Sequence, residues 1–400
     1  MTRAGRIAVV GAGMAAARFA ERYAAFGGTG TVTLYGAEPH PPYNRVLLTD
    51  VLTGRYDPAA LTLPAGPARL RPAIEVRAVD PAARTLALAD GTEEEWDALV
   101  LATGANPVLP PVRGVRRPGG LIAGVHVLRS LADCARLAAD AAGARRAVVI
   151  GGGVLGVGTA RALTALGIAV EIVHQGPHLV ERHLDPGAAE VLRAGLRELG
   201  VVTYAGNRAR AVYGAGRVEG VRLASGFRLD CDLVVLACGV RPRTALAYAA
   251  GLAVGTGVLV DDALATSAPG VHAIGDCAEH AGTVHGLAGP AWEQADVLAA
   301  RLSGADPAAR YTGSRPPARL SAGPLEYAAF GEVDEAADPE LDVLRLTDAT
   351  RASYKKLLLR GDRLAGAVLV GDLTAVGTLA DAYARDERVR GDPLELLVSG

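Results

Sequence analysis

Aromatic side chains and lysines are scarce in this chain of 400 residues. Phenylalanine, tryptophan and tyrosine together make up 4% of it, and its only lysines are Lys355 and Lys356. Half of the residues are hydrophobic, so a sizeable core must be filled mainly by alanine, valine and leucine. The length indicates two or three domains, because single cores rarely grow beyond about 250 residues.

The chain also lacks a strong charge of one sign. Its formal net charge is −2, with both signs mixed along the sequence, which excludes the basic footprint of nucleic-acid or anionic-membrane binding. The longest apolar run, residues 147–173, is broken by glycines and Arg161, whereas a membrane-spanning helix needs about 20 apolar residues. No basic and apolar leader is visible at the N-terminus. We therefore expect a cytoplasmic protein without membrane or nucleic-acid partners.

Cysteine is used sparingly, and no two of the four cysteines form a C-x-x-C pair. This excludes the usual zinc-ribbon, iron–sulfur and dithiol signatures, and we expect four reduced thiols. His174, His178 and His183 fall in one short stretch but lack the spacing of a zinc site. We predict no metal.

Two similar strand–glycine–helix–strand units are present. The first is "RIAVVGAGMAAARFAERYAAFGGTGTVTLYGAE" at 6–38, and the second is "AVVIGGGVLGVGTARALTALGIAVEIV" at 147–173. A strand that turns tightly into a helix is typical of a parallel sheet, and it aims the helix N-terminus at an anion. The repetition predicts two dinucleotide sites, or one site and a decayed copy.

Each glycine in these loops has an expected role. Gly11 permits the turn, Gly13 lets a pyrophosphate approach the backbone, and Ala16 is small enough for the helix to pack on the strand. Gly151, Gly153 and Gly156 repeat the pattern in the second unit.

An acid about 20 residues after such a loop binds the adenosine ribose. Glu38 is the candidate in the first unit, although a solvated loop glutamate is the alternative. The second unit has His174 and Gln175 at this point and no acid, so the choice between NADH and NADPH stays open. Arg182 could meet a 2′-phosphate, but an ordinary surface arginine is the favoured interpretation.

Domain boundaries follow from strands that end in proline-rich segments. "WDALVLATGANPVLPPVRG" at 96–114 and "CDLVVLACGVRP" at 231–242 are such strands. "YKKLLLRGDRLAGAVLVGD" at 354–372 predicts a hairpin, followed by a short helix over 374–385. We therefore predict an α/β protein with two Rossmann-like, glutathione-reductase-type dinucleotide-binding domains and a small α+β C-terminal domain. The predicted boundaries are 1–110 with 240–313, then 111–239, and then 314–400.

The order of these motifs, with "LATG" at 101–104 and "AIGDCAEH" at 273–280, resembles the two-dinucleotide flavoprotein reductases. Those proteins bind FAD in the first unit and NAD(P)H in the second. The stretches "EPHPPYNRVLLTDVLTG", "GVHVLRSLADCARL", "VHQGPHLVERHLD" and "GDCAEHAGTVHGLAGPAWEQA" resemble the FAD/NADH module of assimilatory nitrite reductase large subunits, and "YKKLLLRGDRLAGAVLVGD" does so too. Ferredoxin and rubredoxin reductases share the framework but match these stretches less well.

The resemblance implies further FAD-site residues. Gly275 and Asp276 should hold the ribityl chain or pyrophosphate, and Thr103 and Gly104 should lie near the phosphates. Asn44, Arg45, Pro290 and Trp292 should surround the isoalloxazine. Pro290 lies in the first turn of a helix that is expected to point at the flavin. For Trp292, burial in the protein core is an equally open alternative. The cofactor supplies the redox chemistry, so no catalytic acid, base or nucleophile is named.

The sequence departs from the family pattern at two places. Relatives commonly carry a glutamate beside the nicotinamide where this chain has Gly158, and ferredoxin-type reductases often carry a lysine where this chain has Asp50. No cysteine falls in "NRVLLTD" at 44–50, which argues against a disulfide reductase or a cysteine-dependent peroxidase. Cysteines for the iron–sulfur and sirohaem domains of nitrite reductases are also missing, so we expect a stand-alone flavin component.

The resemblance thus implies an oxidoreductase that passes electrons from NADH or NADPH through FAD to a separate protein or small-molecule acceptor. Three alternatives stay open. One is a ferredoxin- or rubredoxin-type reductase that serves a biosynthetic redox partner. Another is a flavoprotein binding or assembly subunit with a decayed nicotinamide site, which Gly158 motivates, and the third is an oxidase that uses oxygen directly. The C-terminal domain is expected to cover the flavin or to mediate a homodimer.

Overall fold

The computed structural model describes residues 5–315, 318–322, 325–389 and 392–398. The chain divides into two compact units. The first consists of 1–47, 56–106 and 240–314, and the second consists of 48–55, 107–239 and 315–400. The predicted C-terminal domain falls within the second unit in this division, so its separate boundary stays a prediction. Pro316 and Pro317, at that boundary, lie outside the described residues.

The first unit is built on a parallel sheet of five strands. In spatial order these are Val271–Ala273, Ala98–Leu101, Arg6–Val10, Thr31–Tyr35 and Arg69–Arg71. A three-stranded antiparallel sheet consists of Val76–Asp80, Thr85–Leu88 and Glu93–Glu95, and Val258–Val260 pairs with Ala278–His280. The helices are Met14–Ala25, Ala245–Ala249 and Ala288–Ser303, with 3₁₀ turns at Arg45–Leu47, Pro58–Leu61 and Gly275–Cys277. Short strands at Ala105–Pro107 and Val240–Pro242 lie where the chain passes between the units.

Alternate residues of the central strand Arg6–Val10 face opposite layers of this unit. Ile7 and Val9 join the core formed with the helices Met14–Ala25 and Ala288–Ser303. Ala8 and Val10 join the core on the other face, which contains Trp96. Because both faces of the sheet are buried, the sequence of this strand is a nearly continuous apolar run, as is typical of a parallel sheet.

The second unit repeats this plan. Its five-stranded parallel sheet has the spatial order Val125–Val127, Leu233–Leu236, Arg146–Ile150, Ala169–Val173 and Val202–Tyr204. Its antiparallel sheet consists of Ala209–Tyr213, Gly220–Leu223 and Arg228–Asp230, and a short ribbon joins Arg116–Arg117 to Gly120–Leu121. The helices are Leu48–Leu52, Leu131–Ala141, Val154–Ala165 and Pro186–Glu198. The predicted duplication is confirmed.

The C-terminal part of the second unit is an antiparallel sheet with two helices. The strand order is Ala318–Ala322, Leu325–Gly331, Arg363–Val370, Ser353–Arg360 and Asp342–Asp348, a 3₁₀ turn spans Glu335–Ala337, and the helices are Val376–Ala384 and Glu395–Val398. The predicted hairpin is present, with its turn at Gly361 and Asp362. The predicted fold class, two Rossmann-like units with an α+β C-terminal part, is confirmed.

Both lysines of the chain are buried in this C-terminal sheet. Lys356 Nζ donates to the Val333 carbonyl at 2.9 Å and lies 3.2 Å from the Asp185 carboxylate and 3.1 Å from that of Glu335. Lys355 Nζ lies 2.7 Å from the Asp372 carboxylate. A buried ammonium is tolerated only with such partners. Lys356 therefore holds the C-terminal sheet to Asp185, which caps the helix Pro186–Glu198.

Candidate nucleotide-binding sites

Three neighbouring strands of the first unit end at the same edge of its sheet. Val10 is paired with Leu101, and Leu101 is paired with Ala273. The residues that follow include Gly11, Thr103 and Gly275. Because ligands of open α/β sheets bind outside the carboxyl ends of the strands, the fold brings three predicted segments together at the expected place.

The first glycine loop, Gly11–Ala16, is shaped by two glycines with opposite requirements. Gly11 has a φ of +115°, and a Cβ there would overlap the Ala102 carbonyl, so only glycine fits. Gly13 has an ordinary φ of −96°, and a Cβ there would meet nothing within 4 Å. The backbone at Gly13 therefore faces open space, while the fully buried Ala16 packs into the core.

The helix that follows this loop begins without a side-chain cap. Gly13 is its N-cap residue, and the first turn contains no acid. The second glycine loop leads into the helix Val154–Ala165 in the same way, with Gly153 as an uncapped N-cap. In contrast, Ser130 and Asp185 cap the helices Leu131–Ala141 and Pro186–Glu198 with their own side chains. Uncapped N–H groups at a helix start bind anions such as phosphates.

A second uncapped helix start converges on the same edge in the first unit. The helix Ala288–Ser303 has Leu287 as its N-cap and no acid in its first turn. A Cβ built on Gly275 would lie 3.0 Å from the Cβ of Ala15 and 3.9 Å from that of Ala291. The first turns of two helices, which are their positive ends, thus flank Gly275, the residue that precedes Asp276.

The two helix residues predicted to border the flavin are placed differently. Pro290, the third residue of its helix, is buried, and its missing N–H costs no helix hydrogen bond there. Trp292 is 37% exposed, which disfavours the alternative of a core tryptophan. Its contact with a flavin stays a prediction.

Gln294 was missed by sequence reasoning. Its buried side-chain oxygen accepts a hydrogen bond from the Gly275 backbone N–H at 2.7 Å, which fixes the turn that presents Asp276. A glutamine on the apolar face of the helix was the available signal. On the neighbouring strand, Thr103 Oγ1 donates to the Arg243 carbonyl at 2.9 Å, and Gly104 adopts a φ of +72° with open space beside it.

Glu38 is not a solvated loop residue. Its carboxylate accepts hydrogen bonds from Tyr43 Oη at 2.7 Å and from Arg45 at 2.5 Å. Burial raises the pKa of Glu38, but the Arg45 charge and the two hydrogen bonds outweigh it and hold that pKa below its usual value. Glu38 is therefore ionised and held in place, as a ribose acceptor must be.

Arg45 thus lies on the Glu38 carboxylate and over the Tyr43 ring, with its guanidinium 4.7 Å from the ring centroid. Asn44 Oδ1 accepts from the Val46 backbone N–H at 3.0 Å. In the structure, Arg45 is therefore hydrogen-bonded to Glu38, the acid predicted to bind the ribose. A position of Asn44 and Arg45 beside the isoalloxazine stays a prediction.

The second glycine loop, Gly151–Gly156, has the same construction as the first. Gly151 has a φ of +114°, and a Cβ there would overlap the Ala237 carbonyl. A Cβ on Gly156 would overlap the Gly151 carbonyl, whereas Gly153 faces open space. The geometry that an anion needs is therefore complete in the second unit as well.

Near this loop, Asp50 and Arg161 form a pair that the sequence did not predict. Their side chains are 3.8 Å apart and largely buried. Asp50 Oδ1, Arg161 Nε and Thr159 Oγ1 are buried without a hydrogen-bond partner. Asp50 Oδ1 has only the longer ion-pair contacts, 3.8 Å to Arg161 and 3.5 Å to Arg55, so all three atoms keep hydrogen-bonding capacity that is not used within the chain. Thr159 and Arg161 lie on the helix Val154–Ala165, which also carries Gly158, whereas Asp50 lies on the helix Leu48–Leu52. The helix around Gly158 therefore does carry buried polar groups.

The four cysteines are free and are poor candidates for redox chemistry. Burial raises the pKa of Cys134 and Cys238 to about 11 and that of Cys231 to about 12. Burial likewise raises the pKa of Cys277. Thiolates, which are the reactive form, are therefore suppressed. In the part of the chain that the structure describes, no group of His, Cys, Asp or Glu is arranged to hold a metal ion, and no helix is long and apolar enough for a membrane span.

Two uncapped glycine loops at the edges of two parallel sheets define a protein of the double dinucleotide-binding class. Comparison with known families agrees. Residues 5–295 match the pyridine nucleotide-disulphide oxidoreductase family, and residues 316–385 match the rubredoxin NAD⁺ reductase C-terminal domain. The chain belongs to the pyridine nucleotide-disulphide oxidoreductase family. The predicted flavoprotein oxidoreductase class, with FAD and NAD(P)H as cofactors, is confirmed at the level of the family.

The chain is similar to a nitrite reductase [NAD(P)H] of Bacillus subtilis, with 35% identity over 92% of this chain and 46% of that protein. It is 35% identical to the ferredoxin–NAD(+) reductase component of a biphenyl dioxygenase system from Paraburkholderia xenovorans, over 68% of this chain and 67% of that one. A solved ferredoxin reductase from Rhodopseudomonas palustris superimposes with a TM-score of 0.87 at 28% identity, covering 96% of this chain and 95% of that one. The chain spans about half the length of the nitrite reductase that it matches.

Proposed function

We propose that this protein is an FAD-dependent NAD(P)H oxidoreductase that delivers electrons to a separate acceptor. The observation that carries the proposal is the pair of uncapped glycine loops, each at the carboxyl edge of its own parallel sheet. Bound flavin would supply the chemistry, since it accepts a hydride and releases electrons singly or in pairs. The chain's own residues supply binding and orientation.

In the first unit, we assign the pyrophosphate of FAD to the backbone N–H groups of the first glycine loop. Glu38 would accept hydrogen bonds from the adenosine ribose, because its carboxylate is ionised and fixed by Tyr43 and Arg45. Asp276, which follows the glycine that two positive helix ends flank, would accept hydrogen bonds from the ribityl hydroxyls. A hydrogen bond to a charged carboxylate is worth about 1.5–3 kcal/mol, so each of these acids contributes materially to retention of the cofactor.

In the second unit, we assign the nicotinamide nucleotide to the second glycine loop. The decayed-site alternative rests on Gly158, but Gly151, Gly153 and Gly156 keep the geometry of the first loop. The buried atoms of Asp50, Arg161 and Thr159 that lack a hydrogen bond are further groups to which a bound nucleotide would donate or from which it would accept.

The acceptor is proposed from the relatives. Similarity to a nitrite reductase favours an acceptor centre that reduces nitrite, and similarity to a ferredoxin–NAD(+) reductase component favours a ferredoxin-type protein. The 35% identity to a ferredoxin–NAD(+) reductase component keeps the second candidate open. We further propose a cytoplasmic location, which fits four reduced thiols, and a homodimer mediated by the C-terminal part.

The test is anaerobic mixing of FAD-reconstituted protein with NADH or NADPH, followed by addition of a ferredoxin, a rubredoxin or oxygen. We expect rapid loss of the flavin's visible absorption band with at least one nucleotide, and its rapid return with a protein acceptor. A band unchanged by both nucleotides would support a binding or assembly subunit instead. If the flavin's absorption band returns fastest with oxygen, the result would support an oxidase.

A further inference from the structure

The strand Ala169–Val173 ends in a histidine where an acid was expected, and this histidine holds an acid from elsewhere. His174 Nδ1 accepts a hydrogen bond from the Gly152 backbone N–H at 3.1 Å, so it is tied to the second glycine loop. His174 Nε2 lies 2.5 Å from the Glu181 carboxylate. Glu181 is thereby delivered to the strand end from seven residues further along the chain.

These contacts decide the tautomer and the charge. A backbone N–H can only donate, so Nδ1 must be the unprotonated nitrogen and the ring hydrogen must lie on Nε2. Nε2–H then donates to Glu181, which accepts as a carboxylate. The strand end therefore carries the negative charge of Glu181 and a neutral imidazole.

Close packing holds the pair in place. A Cβ on Gly152 would lie 2.8 Å from His174 Cγ, and a Cβ on Gly176 would lie 2.7 Å from His174 Nε2 and 3.2 Å from Glu181 Oε1. A side chain at either glycine would therefore collide with the His174 imidazole, at Gly176 also with the Glu181 carboxylate. The His174 side chain is 9% exposed, whereas that of Glu181 is 36% exposed, so the buried ring supports a carboxylate that stays open to a ligand.

We infer that Glu181, positioned by His174, binds the adenosine ribose hydroxyls of the nicotinamide nucleotide and makes the protein select NADH over NADPH. The inference rests on the proposed function of the second glycine loop. An acid at the end of the second strand accepts hydrogen bonds from the 2′-hydroxyl of NADH, and the same charge repels the 2′-phosphate of NADPH. Arg182 is exposed and is the rival feature, because an arginine can instead bind a 2′-phosphate.

The experiment is calorimetric titration of the oxidised, FAD-reconstituted protein with ADP-ribose and with 2′-phospho-ADP-ribose, which carry the discriminating group but no redox chemistry. We expect wild type to bind ADP-ribose at least about tenfold more tightly, since one hydrogen bond to a charged group supports a factor of this size. Glu181→Gln, which keeps the side-chain shape, should weaken ADP-ribose binding about tenfold and reduce the affinity ratio between ADP-ribose and 2′-phospho-ADP-ribose. His174→Phe, which removes the ring nitrogens, should reduce the same affinity ratio, because Glu181 loses the group that positions it.

Arg182→Gln is the matched control, because it changes the adjacent charge in the opposite direction. It should leave ADP-ribose affinity unchanged, and melting temperatures should show that all variants are folded. Tighter binding of the 2′-phosphate ligand by wild type, or unchanged discrimination in Glu181→Gln, overturns the inference while the proposed function stands. If wild type binds neither ligand, the nucleotide assignment of the second glycine loop falls together with the inference.

Discussion

Gly153 offers a way to separate folding from nucleotide binding in the second unit. It is the N-cap of the helix Val154–Ala165, has φ of −76° and ψ of −175°, and has open space where a Cβ would lie. Substitution by aspartate is therefore unstrained. Aspartate is also a preferred N-cap residue, and its gain over glycine is a few tenths of a kcal/mol. We expect Gly153→Asp to fold at least as well as wild type.

The same carboxylate lies where we assign the nucleotide pyrophosphate. For unit charges about 5 Å apart at an effective dielectric constant of about 20, the repulsion is about 3 kcal/mol. This corresponds to a loss of affinity of roughly 100-fold. The predicted result is nearly complete loss of NAD⁺ and NADH binding in calorimetric titration, with normal FAD content and an unchanged or higher melting temperature.

The control variant is Gly153→Asn, which has the same shape and caps helices equally well but carries no charge. It should lose much less affinity than Gly153→Asp. Equal affinities in the two variants would refute the assignment of an anion to this helix start. A destabilised Gly153→Asp would refute the view that the position faces open space.

Three further predictions concern other parts of the fold. Gly13→Asp should fold but fail to retain FAD after desalting, while Gly13→Asn retains more; equal retention would contradict the first assignment. Burial lowers the pKa of His272 to about 4, so this histidine takes up a proton near pH 6.5 in the unfolded chain but only near pH 4 in the folded chain. The free energy of unfolding should therefore fall by up to about 3 kcal/mol as the pH drops from 6.5 to 4. His272→Leu should show a flatter pH profile of melting temperature. Lys356→Met removes the ammonium partner of the largely buried Asp185 carboxylate and should cost about 3 kcal/mol in urea unfolding, with part recovered by adding Asp185→Asn. A Lys356→Met variant as stable as wild type would argue against the ion pair.

Much of this architecture could be predicted from the sequence because its signals are local. The glycine loops lie between an apolar strand and an alanine-rich helix. The hairpin over 354–372 and the helix over 374–385 were predicted within two residues of their observed bounds. The backbone conformation at Gly11 and Gly151 is one that glycine adopts readily. Local chemistry therefore determined these elements.

The contacts between side chains could not be predicted in this way. Gln294 on Gly275, Arg161 near Asp50 and Lys356 on Asp185 each join residues that are far apart in the sequence. Such pairs depend on which helix faces which strand, and periodicity does not specify that. His174 shows a different limit, because the sequence showed a missing acid at the strand end while the loop geometry brings Glu181 back to it.

The most direct test of the account is the number of flavin molecules bound per chain. Wild-type protein reconstituted with excess FAD and then desalted should release one FAD per polypeptide on denaturation, because only the first glycine loop is accompanied by Glu38 and Asp276. Gly153→Asp should release the same amount. No retained flavin in wild type, or equal loss of flavin when either Gly13 or Gly153 is replaced by aspartate, would contradict the assignment of separate nucleotides to the two loops.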